Sequence, residues 1–160
     1  MAKKGQKINK LSAALENYLE TIAALKNEKK YARVGDIAKA LGVKSSSVNV
    51  TINFLAENGL VIHEKYGYVD LTEEGEKVAN EVQRKHDVLY QFLNELLFVD
   101  SDVAVVEACE IEHSVSAETI RRLERLYKLL KEHFLVKTED MENLQEYLEG
   151  DSKKGLKQKR

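Results

Sequence analysis

The heptapeptide EACEIEH, residues 107–113, places five side chains that can hold a metal or move a proton within seven positions. On a helix, Cys109 and His113 stand at i and i+4, and Cys109 and Glu112 at i and i+3. Thiol, carboxylate and imidazole therefore share one face. First-row transition metals accept all three donors. A solvated acidic helix face is the competing account, because Glu and His are ordinary surface residues and a lone cysteine commonly behaves as a small hydrophobe. The residues by themselves leave both accounts open. His63 and His133 have no ligand-type neighbours at a useful spacing and read as surface residues.

A different chemistry is suggested by KSSSVNVT, residues 44–51. These side chains are small and polar, and they follow the short break Gly42–Val43. Placed at the start of a helix, Lys44, Ser45, Ser46, Ser47, Asn49 and Thr51 can approach phosphates and base edges closely.

The elements around these two stretches follow from periodicity. Leu11, Leu15, Tyr18, Leu19, Ile22 and Leu25 predict a helix over 11–28, with Ser12 as its N-cap. A short helix is predicted at 34–41 and stopped by Gly42. A third starts at the serines, which can cap it, and ends at Gly59, with Val48, Ile52 and Leu55 as its buried stripe. Residues 60–71 are β-branched and aromatic around Tyr66–Gly67 and predict a hairpin. Thr72 should cap a long helix over 73–97, followed by helices at 102–114, 116–133 and 138–149. Helix, short helix, tight turn, helix, hairpin is the order of a winged helix-turn-helix, whose second helix enters the major groove. The hairpin would be the wing, with Lys65 and Tyr66 near its tip. The expected fold is mainly α: a winged helix-turn-helix over 1–71, an all-helical domain over 72–150 and a basic disordered tail over 151–160.

Charge is segregated along the 160 residues. Residues 1–70 hold 11 Lys and Arg against 7 Asp and Glu, residues 71–150 hold 9 against 19, and residues 151–160 hold 5 against 1. A basic front half suits a polyanion such as DNA, and an acidic second half suits cations. The single cysteine excludes an internal disulfide and fits a reducing compartment. No apolar run long enough to span a membrane and no secretory h-region is visible, so a cytoplasmic protein is expected. There is no Gly-rich phosphate loop or nucleophile motif, so neither an enzyme nor an organic cofactor is expected.

Several stretches together resemble the diphtheria toxin repressor family, the DtxR/MntR-type metal-dependent repressors. They are ENYLETIAAL, YARVGDIAKALGVKSSSVNVTINFLAENGLV, HEKYGYVDLTEEGEKVANEVQRKHDVLYQFL and VEACEIEHSVS. The likeness runs from about Leu15 to Leu123, and its most specific part is LTEEG followed by RKH and then EACxxEH. It implies a helical dimerisation domain after Thr72, and metal ligands at Asn17, Glu20, His86, Cys109, Glu112 and His113.

Departures from the family pattern carry meaning. Asn17 stands where Asp or Met is common, and a neutral amide oxygen is the weaker ligand. Tyr90 and Val105 occupy positions that would serve a second metal site, so that version of the site is not expected. A centre of two metals sharing Glu20 and Glu112 stays open. The third, SH3-like domain of longer members is expected to be absent. The recognition helix lacks basic residues around Asn53 and Phe54, which transfers phosphate contacts to Arg33, Lys39, Lys44 or the tails.

Carboxylate and imidazole suit Mn2+, while the thiolate of Cys109 shifts preference toward Fe2+, with Co2+, Ni2+ and Zn2+ as surrogates. The expected protein is a homodimeric repressor that binds double-stranded operator DNA when loaded with Fe2+ or Mn2+. The alternatives are a winged-helix regulator indifferent to metal and, from another class, a metal-dependent hydrolase. The Leu123, Leu126, Leu130 and Met141, Leu144, Leu148 stripes serve either a dimer contact or packing within one subunit.

Overall fold

The structure, a computed structural model, describes residues 11–64, 67–135 and 137–150. These fall into two compact units divided between Arg84 and Lys85.

The first unit holds α1 (Ala13–Lys29), β1 (Ala32–Arg33), α2 (Val34–Leu41), α3 (Ser45–Glu57), β2 (Val61–His63), β3 (Tyr68–Leu71) and most of α4 (Glu73–Gln91). The strands form one antiparallel sheet in the order β1-β3-β2, with Ala32 opposite Val69 and Val61 opposite Leu71. The two-residue strand β1 joins the predicted hairpin and had no sequence signal, because two residues show no alternation. Helices and sheet close on an apolar core that includes Leu19, Ile22, Ile37, Val48, Ile52, Leu55 and Val69. The unit is a winged helix-turn-helix.

Its turns are set by single residues. Gly42 ends α2 in the left-handed region, at φ +66°, and Val43 N–H donates to the Ala38 carbonyl at 3.0 Å. This makes the sharp break that lets α3 cross α2. Lys44 occupies the N-cap of α3, and no side chain caps it, so the serines do not perform the capping expected of them. They are left exposed instead. Gly59, at φ +73°, turns the chain from α3 into β2. Thr72 Oγ1 accepts from Gly75 N–H at 3.1 Å and donates to the Gly59 carbonyl at 2.7 Å, capping α4 and fastening it to the end of α3. A Cβ on Gly75 would run into the Leu60 carbonyl oxygen, which accounts for glycine in LTEEG. Lys26 reaches Asp70 at 2.8 Å and Glu76 at 2.9 Å, and these two hydrogen bonds raise its pKa.

The second unit contains the end of α4, α5 (Ser101–Glu112), α6 (Ala117–Leu129) and α7 (Thr138–Leu148). The predicted helix over 73–97 does not stay regular. It widens after Gln91 into a π turn over Phe92–Leu96, closed by Leu97 N–H on the Phe92 carbonyl at 3.2 Å. The helix that begins after Ser116 widens in the same way over Leu130–Phe134. Asp100 caps α5 and Ser116 caps α6, each accepting a backbone N–H. The buried core here is small: a cluster of Val88, Leu89, Ala108 and Ile120, with Leu96 and Ala104 buried as well. Glu95 joins the first π turn to α6, taking hydrogen bonds from Tyr127 Oη at 2.6 Å and Lys131 Nζ at 3.0 Å. The bond from Tyr127 is the main cause that holds the Glu95 carboxyl below its ordinary pKa. Burial and the same bond push Tyr127 up to about 12. Among the described residues, no helix is long and apolar enough to cross a membrane.

Candidate functional site

Helix α5 buries one narrow edge, Ala104, Ala108 and Glu112, at i, i+4 and i+8. Two small residues bring the helix close to its neighbours, and the third position in the row is a carboxylate with 0 % exposure. Burying a carboxylate costs several kcal/mol, about as much as a small domain's whole stability, unless polar partners or a cation compensate. The compensation is local. His86 Nδ1, from α4, lies 3.0 Å from Glu112 Oε2, and His113 Nε2 lies 3.3 Å from Glu112 Oε1. Cys109, one turn back, is half-buried beside them. The donor atoms of Cys109, Glu112 and His113 all lie within 4.8 Å of one another. Tetrahedral ligands at about 2.0–2.3 Å from one ion stand roughly 3.3–3.8 Å apart, so side-chain adjustments of about 1 Å would let the three share an ion. A thiolate and a carboxylate carry two negative charges, matched by a divalent ion. The donor set fits a first-row transition metal. The structure thus brings His86, Cys109, Glu112 and His113 together within the second unit.

Asn17 and Glu20 lie on α1 in the first unit, where their i, i+3 spacing gives them one face. Asn17 Oδ1 is buried and has no hydrogen-bond partner among the described residues. An amide oxygen in that condition is an acceptor waiting for a donor or a cation. Glu20 is half-buried and lines an open groove with Thr21, Ala24, Glu28 and Gln83. Tyr90 packs against the apolar core of the second unit, and Val105 is exposed. Of the remaining histidines, His133 is exposed and His63 Nδ1 pairs with Asn53 Oδ1 at 3.1 Å.

The nucleic-acid candidates are distributed around α3. Lys44, Ser45, Ser46, Ser47 and Asn49 are exposed at its N-terminal end. Thr51 is half-buried and donates to the Ser47 carbonyl at 3.1 Å, and Asn49 Nδ2 donates to the Ser45 carbonyl at 3.0 Å. Both side chains turn back on their own helix. Arg33, at the end of β1, is exposed and lies over two rings, 5.1 Å from the centroid of Tyr31 and 4.9 Å from that of Tyr68. Its Nη2 donates to Tyr68 Oη at 2.8 Å, a bond that raises the guanidinium pKa further. The two tyrosines meet edge to face at 5.0 Å. Sequence reasoning singled out Arg33 but missed this aromatic bracket, whose only trace is the pair YAR and YGY. Lys65 and Tyr66 lie outside the described residues.

A winged helix followed by a helical unit with a buried carboxylate, thiol and imidazole cluster defines a class, the metal-dependent repressors of transcription. The chain belongs to the iron dependent repressor family. Residues 10–69 match its N-terminal DNA binding domain, and residues 72–134 match its metal binding and dimerisation domain. The HTH-type transcriptional regulator MntR of Lysinibacillus sphaericus is 36 % identical over 120 residues, covering 75 % of this chain and 86 % of that protein. The crystal structure of T. acidophilum IdeR superposes with a TM-score of 0.65 at 31 % identity, over 75 % of this chain and 55 % of that one. A manganese-dependent transcriptional repressor in complex with manganese gives 0.65 at 31 %, over 71 % and 52 %. The chain spans about half the length of these solved relatives. Family membership makes this a DNA-binding regulator dependent on a divalent metal, and not an enzyme. The hydrolase alternative is thereby set aside.

Proposed function

We propose that this chain is a cytoplasmic, homodimeric repressor whose hold on operator DNA is governed by Fe2+ or Mn2+. The proposed ligands are Asn17, Glu20, His86, Cys109, Glu112 and His113. The observation that carries this reading is Glu112, fully buried between two imidazoles and beside a thiol. A carboxylate so placed is poorly explained as a solvated helix face. Residues 1–71 would read DNA, with Lys44, Ser45, Ser46, Ser47, Asn49 and Thr51 in the major groove and Arg33, Lys65 and Tyr66 on the backbone. Residues 72–150 would carry the dimer contact and most of the metal ligands.

The chain's own residues do the following. Glu112 anchors the set, because its Oε2 is already bonded to His86 Nδ1 and its Oε1 lies beside His113. Cys109 adds a soft donor at the rim. Asn17 offers a buried oxygen that has no hydrogen-bond partner among the described residues. When bound, the divalent ion supplies positive charge for the thiolate and carboxylate and a coordination sphere that selects one arrangement of α1 relative to the other ligands. DNA affinity rises only as far as that arrangement is the DNA-competent one, and coupling of about 1–3 kcal/mol is usual. The manganese complex among the relatives and the regulator names favour Mn2+, and Cys109 favours Fe2+.

Co2+ substitution tests the ligand set. The chelator-treated chain should take up Co2+ and show a thiolate-to-metal charge-transfer band that Cys109→Ser removes. A chain that takes up no divalent metal would sink the reading.

A further inference from the structure

Helix α3 is anchored by Val48, Ile52 and Leu55, all fully buried. Stepping two residues on from Val48 turns the helix by about 200°. Val50 therefore points straight away from the core. It is 71 % exposed, more than any other large hydrophobic residue among those described. Phe54, one turn further, is 43 % exposed. Of the polar side chains around this ridge, Asn49 bonds the Ser45 carbonyl and Asn53 pairs with His63, while Ser46 and Ser47 are exposed. Between Lys44 and the end of α3 at Glu57 there is no cation at all. The most outward side chain of a recognition helix is thus aliphatic.

Scattered apolar surface residues need no explanation in general. This one stands on the second helix of a helix-turn-helix in a matched DNA binding domain, on the face that such helices turn to the groove. The only apolar group on the major-groove edges of the bases is the C5-methyl of thymine. Guanine is normally taken by Arg or Lys, and α3 has neither. We infer that α3 reads thymine methyl groups, with Val50 as the contact residue and Phe54 as its apolar flank. The inference rests on the operator-binding reading above and specifies what that operator offers: a thymine in each half-site where Val50 enters the groove.

The test uses the full chain loaded anaerobically with Mn2+ to select duplexes from a random pool. The enriched duplex is then remade with each thymine replaced in turn by deoxyuracil, which removes only the methyl. One thymine in each half-site should weaken wild-type binding about fourfold when it becomes uracil, the effect of a single buried methyl. Val50→Ala, which shortens the apolar contact, should discriminate between the thymine and uracil duplexes less than wild type does. The substitution is at an exposed site and improves helix propensity, so the fold is kept. Enrichment without any uracil-sensitive thymine would overturn the inference while leaving operator binding intact. So would a Val50→Ala chain that discriminates as strongly as wild type, or one whose DNA affinity is unchanged. If no duplex is enriched, the operator-binding reading itself fails and takes this inference with it.

Discussion

The two units solve the problem of burial differently. The first closes on a continuous apolar core drawn from α1, α2, α3, the start of α4 and the sheet, with its ion pairs, such as Lys26 with Asp70 and Glu76, kept at the margin. The second buries four apolar residues in its cluster and, beside them, the carboxyl group of Glu112. It also leaves Val103, Val105, Val106, Leu126, Leu129 and Phe134 exposed, the last at 62 %. A unit with a complete core of its own can hold the exposed face of α3, Val50 included, in a fixed shape. A unit with a buried carboxyl group and uncovered apolar helices has more to gain from binding partners. On the proposed function those partners are the metal and a second copy of the chain.

The largest contrast should appear on truncation. Leu19→Ala removes a fully buried side chain of the first core and should cost about 2–5 kcal/mol in denaturant unfolding. Leu129→Ala, at an exposed site, should cost the isolated chain far less. Equal losses would erase the distinction between the units.

Glu112→Gln separates burial from ligation. Wild-type protein with free metal at 100 times its Kd should gain about 2.7 kcal/mol. The variant should lose nearly all of that gain while its metal-free melting temperature moves little, because the buried charge is gone. A variant stabilised by metal as strongly as wild type would place the ligation elsewhere.

Pairing Leu126→Glu with Leu129→Glu puts two charges on the uncovered face of α6. If that face is the dimer contact, sedimentation should show the dissociation constant raised about 30-fold or more, roughly 2 kcal/mol. An unchanged dimer would move the contact to another helix.

The smallest effect concerns Tyr127. Its folded pKa of about 12 lies above its ordinary value of 10, so its contribution is complete below pH 10 and is lost as pH rises through 12. Wild-type melting temperature should therefore fall more steeply between pH 10 and 12 than that of Tyr127→Phe. At neutral pH the variant should lose less than about 1 kcal/mol, since Glu95 is partly solvated. Glu95 works with the opposite sign. Its lowered pKa gives stability above the ordinary carboxylate value that is lost as pH falls through the lowered one. Parallel curves for the two proteins would mean that the Tyr127–Glu95 bond does not hold the π turn to α6.

Much of the first unit was legible in advance. Helix α2 runs over Val34–Leu41 as its periodicity predicted, because Gly42 leaves no other ending. The buried stripe of α3 was legible for the same reason: Val48, Ile52 and Leu55 recur with helical spacing. The π turns were not legible, since one extra residue per turn hardly disturbs an apolar pattern that continues through Leu93 and Leu96. In the site, the shared face of Cys109, Glu112 and His113 followed from spacing alone. The burial of Glu112 did not, because a glutamate in an acidic stretch is by default solvated. Its signal was the pair Ala104 and Ala108 at the preceding i−8 and i−4 positions, small enough to draw that edge inward. His86 stands 26 residues from Glu112, and only the family resemblance pointed to it before the 3.0 Å contact was in view.

The most direct test of the account is an anaerobic fluorescence-anisotropy titration of a selected operator duplex. It would compare wild type and Glu112→Gln, each with chelator and then with Fe2+ or Mn2+. The account predicts that metal tightens wild-type binding about 5- to 150-fold and leaves the variant at its chelated affinity. Equal wild-type affinity with chelator and with either metal would contradict it.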